Sequence, residues 1–330
     1  MRPPTKSKKP TPRRAAGRLR GLNLRHILVP LDFSGLSRQA LDCAVPLARK
    51  YRAKISLIHV AQSPAGLGAM PDGGLVLPVN LDRLKEVAEM HLAKLAAQLL
   101  PDELRGQLVV REGRAAAEVV AAAQALKVDL IVLSTNGRSG LKRMLLGSTA
   151  ERIVGHAPCP VLTVRRRRRG PAERLAPDSP PVYPAELPWR RILVPLDFSL
   201  TSLRALQTAV PLAQASGARL QLLHVVEPNP YAAGMEAAVL LMPDREVARL
   251  AKKQLVRVAR KLIPARTPVT VSVQMGPAAT TIVTTAETSH ADLIVLAMHQ
   301  HPGLNRLLMG HTAEQVVRHA KGPVFVIRKS

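Results

Sequence analysis

Along the chain, short apolar runs alternate with longer stretches in which apolar residues return every three or four positions. In the first half, His26 to Leu31, Ile55 to Val60, Gln107 to Arg111, Leu130 to Leu133 and Val161 to Val164 predict five strands. Several are apolar throughout, as expected of strands covered by helices on both faces of a parallel sheet. Between the second and third runs, Leu81, Leu84, Ala88, Leu92, Leu95 and Leu99 make one helical stripe over Leu81 to Leu100. Asn80 is placed to cap that helix. Alternating β and α elements with short connections predict a doubly wound α/β domain around a parallel sheet.

The pattern then repeats. Ile27 to Ser34 recurs unchanged as Ile192 to Ser199, and Ala44 to Ala48 as Ala209 to Ala213. His59-Val60 returns as His224-Val225, and Asp129 to Leu133 as Asp292 to Leu296 after a two-residue difference in length. Thr149 to Glu151 matches Thr312 to Glu314, and Pro160-Val161 matches Pro323-Val324. Matches that stay in order over so long a span mean two copies of one domain. Pro46 and Pro211 fall inside helical patterns and predict a kink or early break in the first helix of each copy.

Composition adds boundaries. The 330 residues suit two domains of ordinary size, and 47% apolar content excludes disorder for most of the chain. The net charge of +25 is uneven: residues 1–25 hold nine Lys/Arg and no Asp/Glu, and residues 165–191 hold eight basic and three acidic side chains. Both stretches are Pro-rich, so the expected organisation is a tail over 1–24, domain 1 over 25–165, a linker over 166–189 and domain 2 over 190–330. No run is long and apolar enough to span a membrane, and the opening has no secretory h-region. Two well-separated cysteines, Cys43 and Cys159, suit a reducing cytoplasm. Seven aromatic residues are too few for a platform that stacks nucleic-acid bases.

In an open parallel sheet, ligands bind beyond the carboxyl ends of the strands, where strand order reverses. Two features fall at such ends in copy 1. Pro30, Leu31 and Asp32 follow the first strand; Asp32 is either a ligand acceptor, a cap for the next helix, or both. After the fourth strand come Ser134, Gly137 and Gly140, then Gly147, Ser148 and Thr149 opening a helical run. Glycines admit close backbone approach, and a helix N-terminus suits phosphate oxygens. The loop carries no Walker motif and the first strand no G-x-G-x-x-G.

These residues together resemble the universal stress protein family, in a tandem form. Ile27 to Ser34, His59-Val60, Asp129 to Leu133 and Asn136 to Ser148 carry the resemblance, which covers all but the tail and linker. The family's nucleotide signature is Gly, two residues, Gly, nine residues, then Gly-Ser or Gly-Thr. Here Ser134 stands at the first glycine, Gly137 is the second, and Gly147-Ser148 closes the pattern. The resemblance implies a Rossmann-like α/β fold of the adenine nucleotide alpha hydrolase type, with strand order 3-2-1-4-5 in each copy. It also implies ATP, with or without Mg2+, between the ends of strands one and four. Pro30, Leu31, Asp32 and Val60 would then enclose adenine and ribose, and Leu133, Ser134, Gly137, Gly147, Ser148 and Thr149 would line the phosphate path. Last strands that pair antiparallel, here within one chain, are implied as well.

In copy 2 the corresponding set is Pro195, Asp197, Val225, Gln300, Gly310 and His311. Gln300 replaces the central glycine and His311 the phosphate-facing serine, so this site is expected to be degenerate. His299, His301 and His311 lack a carboxylate or Cys to complete a zinc set, and no metal site is expected. His59 and His224 read as structural groups, and His91 as a partly buried surface histidine. No base or nucleophile is set against a γ-phosphate, so a nucleotide-dependent binding and regulatory role fits better than catalysis. The alternatives are a nucleotide-independent scaffold for an unknown protein partner and nonspecific nucleic-acid contact through the basic tail.

Overall fold

The computed structural model describes residues 22–61, 81–135, 146–165, 183–227, 244–298 and 310–328. Asn80, Gly137, Gly140, His299, Gln300 and His301 lie outside the described residues. Copy 1 runs β1 (His26–Pro30), α1 (Gly35–Arg38), α2 (Leu41–Tyr51), β2 (Lys54–Ala61), α3 (Leu81–Leu99), β3 (Arg105–Glu112), α4 (Ala115–Ala125), β4 (Leu130–Ser134), α5 (Ser148–His156) and β5 (Val161–Val164). Copy 2 runs β6 (Arg191–Pro195), α6 (Leu200–Ser216), β7 (Arg219–Val226), α7 (Asp244–Leu262), β8 (Val269–Met275), α8 (Ala278–Thr288), β9 (Leu293–Ala297), α9 (His311–His319) and β10 (Val324–Ile327).

All ten strands form one sheet in the order β3-β2-β1-β4-β5-β10-β9-β6-β7-β8. Within each copy the neighbours are parallel, in the 3-2-1-4-5 order. Between the copies β5 and β10 run antiparallel, with Thr163 opposite Val324, Leu162 opposite Phe325 and Val161 opposite Val326. Two apolar layers cover the sheet, and each contains residues of both copies: Leu162 and Phe325 on one face, Val161 and Val326 on the other. Side chains alternate across the seam as they do along any strand, so the core continues through it.

The repeated Asp has a structural task. Asp129 Oδ2 accepts hydrogen bonds from the backbone N–H groups of Arg25 and His26 at 2.8 and 3.0 Å, which ties the entry of β1 to that of β4. Asp292 does the same for Arg190 and Arg191 at the entry of β6. Just upstream, Leu24 and Trp189 are fully buried at equivalent positions, so the core extends into the ends of the segments that composition assigns to tail and linker.

Two expectations changed on folding. In copy 1 the helix breaks between Arg38 and Leu41, ahead of Pro46, and α2 continues through the proline; in copy 2, α6 continues through Pro211 unbroken. A single missing N–H is tolerated where neighbouring helix bonds and a buried apolar face hold the ladder, and Pro46 is itself buried. The stripe on α3 is buried at Ala88, Leu92 and Leu95, whereas Leu84 is exposed among the described residues.

Replacing Asp129 or Asp292 by Ala leaves two strand-entry amides without their charged acceptor. Each change is expected to reduce stability by about 1.5–3 kcal/mol, read from urea unfolding of the full chain. Both cysteines are buried, and the Cys159 thiol is pushed up to about 12, first by burial and then by the Asp129 carboxylate. At mildly alkaline pH a chromogenic disulfide reagent should therefore titrate Cys159 only after denaturant is added; rapid reaction of the folded chain would refute this packing.

Candidate functional site

The reversal of strand order in copy 1 falls between β1 and β4, which pair through Ile27–Leu130 and Leu28–Ile131. The chain leaves β1 through a turn built by its own side chains. Leu31 N–H still donates to the Ile58 carbonyl at 2.8 Å. Asp32 Oδ1 accepts from the Ser34 N–H at 3.0 Å and from the Ser34 hydroxyl at 2.5 Å, and Ser34 Oγ accepts from Ser37 N–H. Asp32 therefore organises the turn through Ser34, whose hydroxyl meets the Ser37 amide in the first turn of α1.

Between them Phe33 adopts a left-handed conformation, φ 63°, which is unfavourable for a residue with a Cβ by about 1–2 kcal/mol. Its ring lies stacked between His59, with centroids 3.9 Å apart, and His91 at 4.4 Å. His59 is fixed in turn: its Nδ1 meets the Leu31 carbonyl at 2.8 Å, and since a carbonyl only accepts, that nitrogen carries the proton. Copy 2 repeats the arrangement. Phe198 has φ 64° and lies beside His224, whose Nδ1 donates to Leu196 O at 2.7 Å, and Asp197 Oδ1 accepts from Ser199 N–H. The structural role expected for His59 and His224 is what these contacts describe. His91 is exposed overall, yet its ring completes the stack.

The other wall of the site is the entry to α5. Gly147 N–H donates to the Thr135 carbonyl at 2.9 Å, and a Cβ on Gly147 would approach that oxygen to 3.2 Å. Its φ of −63° is ordinary, so glycine is needed here for closeness of backbones and not for an unusual dihedral. The N-cap residue of α5, Gly147, has no side chain with which to cap it, and Ser148 and Thr149 are exposed in its first turn. Uncapped amides at a helix start carry partial positive charge suited to an anion. Pro30, Leu31, Asp32, Val60, Leu133, Ser134, Gly147, Ser148 and Thr149 thus all fall at the carboxyl end of the sheet, around β1, β2 and β4.

In copy 2 the matching residues line a single cavity of about 350 Å3: Pro195, Asp197 and Val225 on one side, Gly310, His311 and Thr312 at the start of α9 on the other. Copy 2 thus has a recess at its strand ends, bordered by His311. Glu227 also lines it, and Glu227 Oε1 accepts from Ala278 N–H at 2.8 Å, capping α8. Sequence reasoning missed Glu227, because nothing in local spacing links a residue after β7 to a helix start 51 positions on. Phe33 and Phe198 were missed too, although their repetition beside Asp and Ser in both copies was a usable signal. Among the described residues no cluster of three His, Cys, Asp or Glu could hold a metal, and no helix is long and apolar enough to cross a membrane.

Comparison with known proteins agrees with this geometry. The model of the universal stress protein family matches twice, over residues 23–165 and 188–328. A universal stress protein of Methanocaldococcus jannaschii is 35% identical over 150 residues, 45% of this chain and 87% of its own length. One from Bacillus subtilis is 31% identical over 144 residues, 42% of this chain and 97% of its own. Among solved structures, a universal stress protein of Archaeoglobus fulgidus shares the fold with a TM-score of 0.65 at 20% identity, covering 95% of this chain and 99% of that one. With two family matches, one on each half of a ten-stranded sheet, the chain belongs to the universal stress protein family as a tandem of two domains.

Proposed function

We propose that copy 1 binds ATP and that binding biases the segment between β4 and α5, a surface that a protein partner reads. What supports this is one juxtaposition: the Asp32 turn and the glycine-led start of α5 stand at the ends of neighbouring strands. Asp32, with Pro30, Leu31 and Val60, would take the nucleoside. Leu133, Ser134, Gly137 and the amides and hydroxyls of Gly147, Ser148 and Thr149 would take the phosphates. Mg2+ would arrive with the triphosphate, and no catalytic step is assigned. In copy 2, Gln300 and His311 would disfavour a triphosphate, although Pro195, Asp197, Val225 and Gly310 are kept. The cytoplasm, where ATP is plentiful, is the proposed location.

Calorimetric titration of the full chain with ATP should give about one site per chain; two equal sites would overturn the assignment of copy 2. Asn can still accept the Ser34 N–H bond, so Asp32→Asn should preserve the turn while weakening ATP binding roughly ten- to a hundredfold. Gly137→Val should weaken it as well, and unchanged affinity in both variants would remove ATP from this site. If nucleotide acts as a switch, hydrogen exchange over residues 134–149 should slow when ATP is added. Identical exchange with and without ATP would favour the scaffold reading, in which the joined domains act without nucleotide.

A further inference from the structure

The duplication supplies an internal control for surface chemistry. α3 and α7 are both 19-residue helices at matching places in the two copies, and both pack on the same face of the sheet. Ala88, Leu92 and Ala96 of α3 are buried, and so are Ala251, Leu255 and Ala259 of α7, each 163 positions later. Their outer faces have diverged. In α7, Arg249, Lys252, Lys253, Arg257, Arg260 and Lys261 are exposed and surround Val256. The same positions in copy 1 hold Glu86, Glu89, Met90, Lys94, Ala97 and Gln98.

These six cations follow i, i+3 and i+4 steps around the solvent side of the helix, over a length of about 18 Å. None has an ion pair or a side-chain hydrogen bond among the described residues. Like charges one turn apart, as in Arg249–Lys253–Arg257–Lys261, work against the helix by about 0.2–0.5 kcal/mol per pair. A helix needed only for packing has no use for that arrangement, and α3 shows that the fold does not require it.

We propose that the outer face of α7 is a docking surface for the phosphate backbone of duplex DNA, without sequence selection. The choice among polyanions follows from what the face lacks. It has no aromatic residue on which unpaired bases could stack, which disfavours single strands. Its apolar stripe is already spent in the core, so the helix cannot sink into a lipid surface as an interfacial helix does. Val256 and the half-exposed Leu250 are the apolar residues among these cations, too few for the buried anchors of a protein interface. What is left is a rigid row of point charges, which suits a duplex carrying one phosphate charge per ~1.7 Å of axis. The inference is independent of the nucleotide site in copy 1.

The test uses the full chain and a short fluorescent duplex DNA of mixed sequence, with anisotropy read across a series of NaCl concentrations. Lys252→Gln/Lys253→Gln/Arg257→Gln/Arg260→Gln should weaken binding roughly tenfold or more and lower the slope of log K against log salt by roughly 3–4. A charge-matched variant with exposed cations elsewhere on the fold, Lys50→Gln/Lys85→Gln/Arg204→Gln/Arg219→Gln, should change the slope by much less. All the altered positions are exposed, and circular dichroism melting checks that each variant stays folded. An unchanged slope in the α7 variant, or equal falls in both, would overturn the proposal. So would α7-dependent binding to inorganic polyphosphate or to phosphatidylserine vesicles with no α7-dependent binding to the duplex.

Discussion

The structure depends on the antiparallel contact between β5 and β10. In a doubly wound domain the strand at this end of the sheet is apolar and has nothing beyond it in its own copy. Left open, it offers unpaired amides, carbonyls and apolar side chains to any other chain. Here each copy closes the other, and Phe325 and Leu162 are removed from water in the same layer. Burial of side chains of that size is worth about 1.5–3 kcal/mol each, before backbone pairing is considered. The palindromic strand order that results places every strand of one copy in the position of its counterpart in the other. Two Asp clamps, two turns after the first strand and two outer helices are thereby held in one body.

Within each copy, strain at the exit of strand one is balanced by local contacts. A phenylalanine in left-handed conformation would relax if it were free to do so. The Asp-to-Ser hydrogen bonds, the His tether to the strand's last carbonyl and the ring stack together hold it. The turn is therefore shaped before any ligand arrives, and it presents its carboxylate at the point where strand order reverses. The same set in copy 2, including a left-handed Phe198, indicates that the turn belongs to the fold.

Duplication followed by divergence then accounts for the differences between the halves. Buried positions on α3 and α7 have stayed apolar while their outer faces changed from mixed charge to a row of cations. The start of α5 presents Ser148 and Thr149, whereas the start of α9 presents His311 and Thr312. Core positions are held by packing, and exposed ones are free to vary until a partner constrains them.

Much of this was legible in the chain itself. The five runs per copy, the repeat offset and the helical stripe follow from side-chain periodicity, which burial imposes locally, and Val161–Val164 was placed to the residue. The glycine at 147 was singled out for approach to a ligand, and its immediate neighbour in the structure is the Thr135 carbonyl. The continuation of helix through Pro46 and Pro211, the exposure of Leu84 and the role of Glu227 were not legible, because each depends on what a distant segment places alongside. Asp129 stood out as a repeated residue, but that it grips the amides of Arg25 and His26 is a contact across more than a hundred positions. Sequence by itself determined which elements form and which faces are apolar, since those follow from the covalent order of side chains along a helix or strand. Only the tertiary structure decided which strand ends adjoin, which charges stand together on the outside of α7, and which carbonyls His59 and His224 hold, because those contacts exist only once the chain has closed on itself.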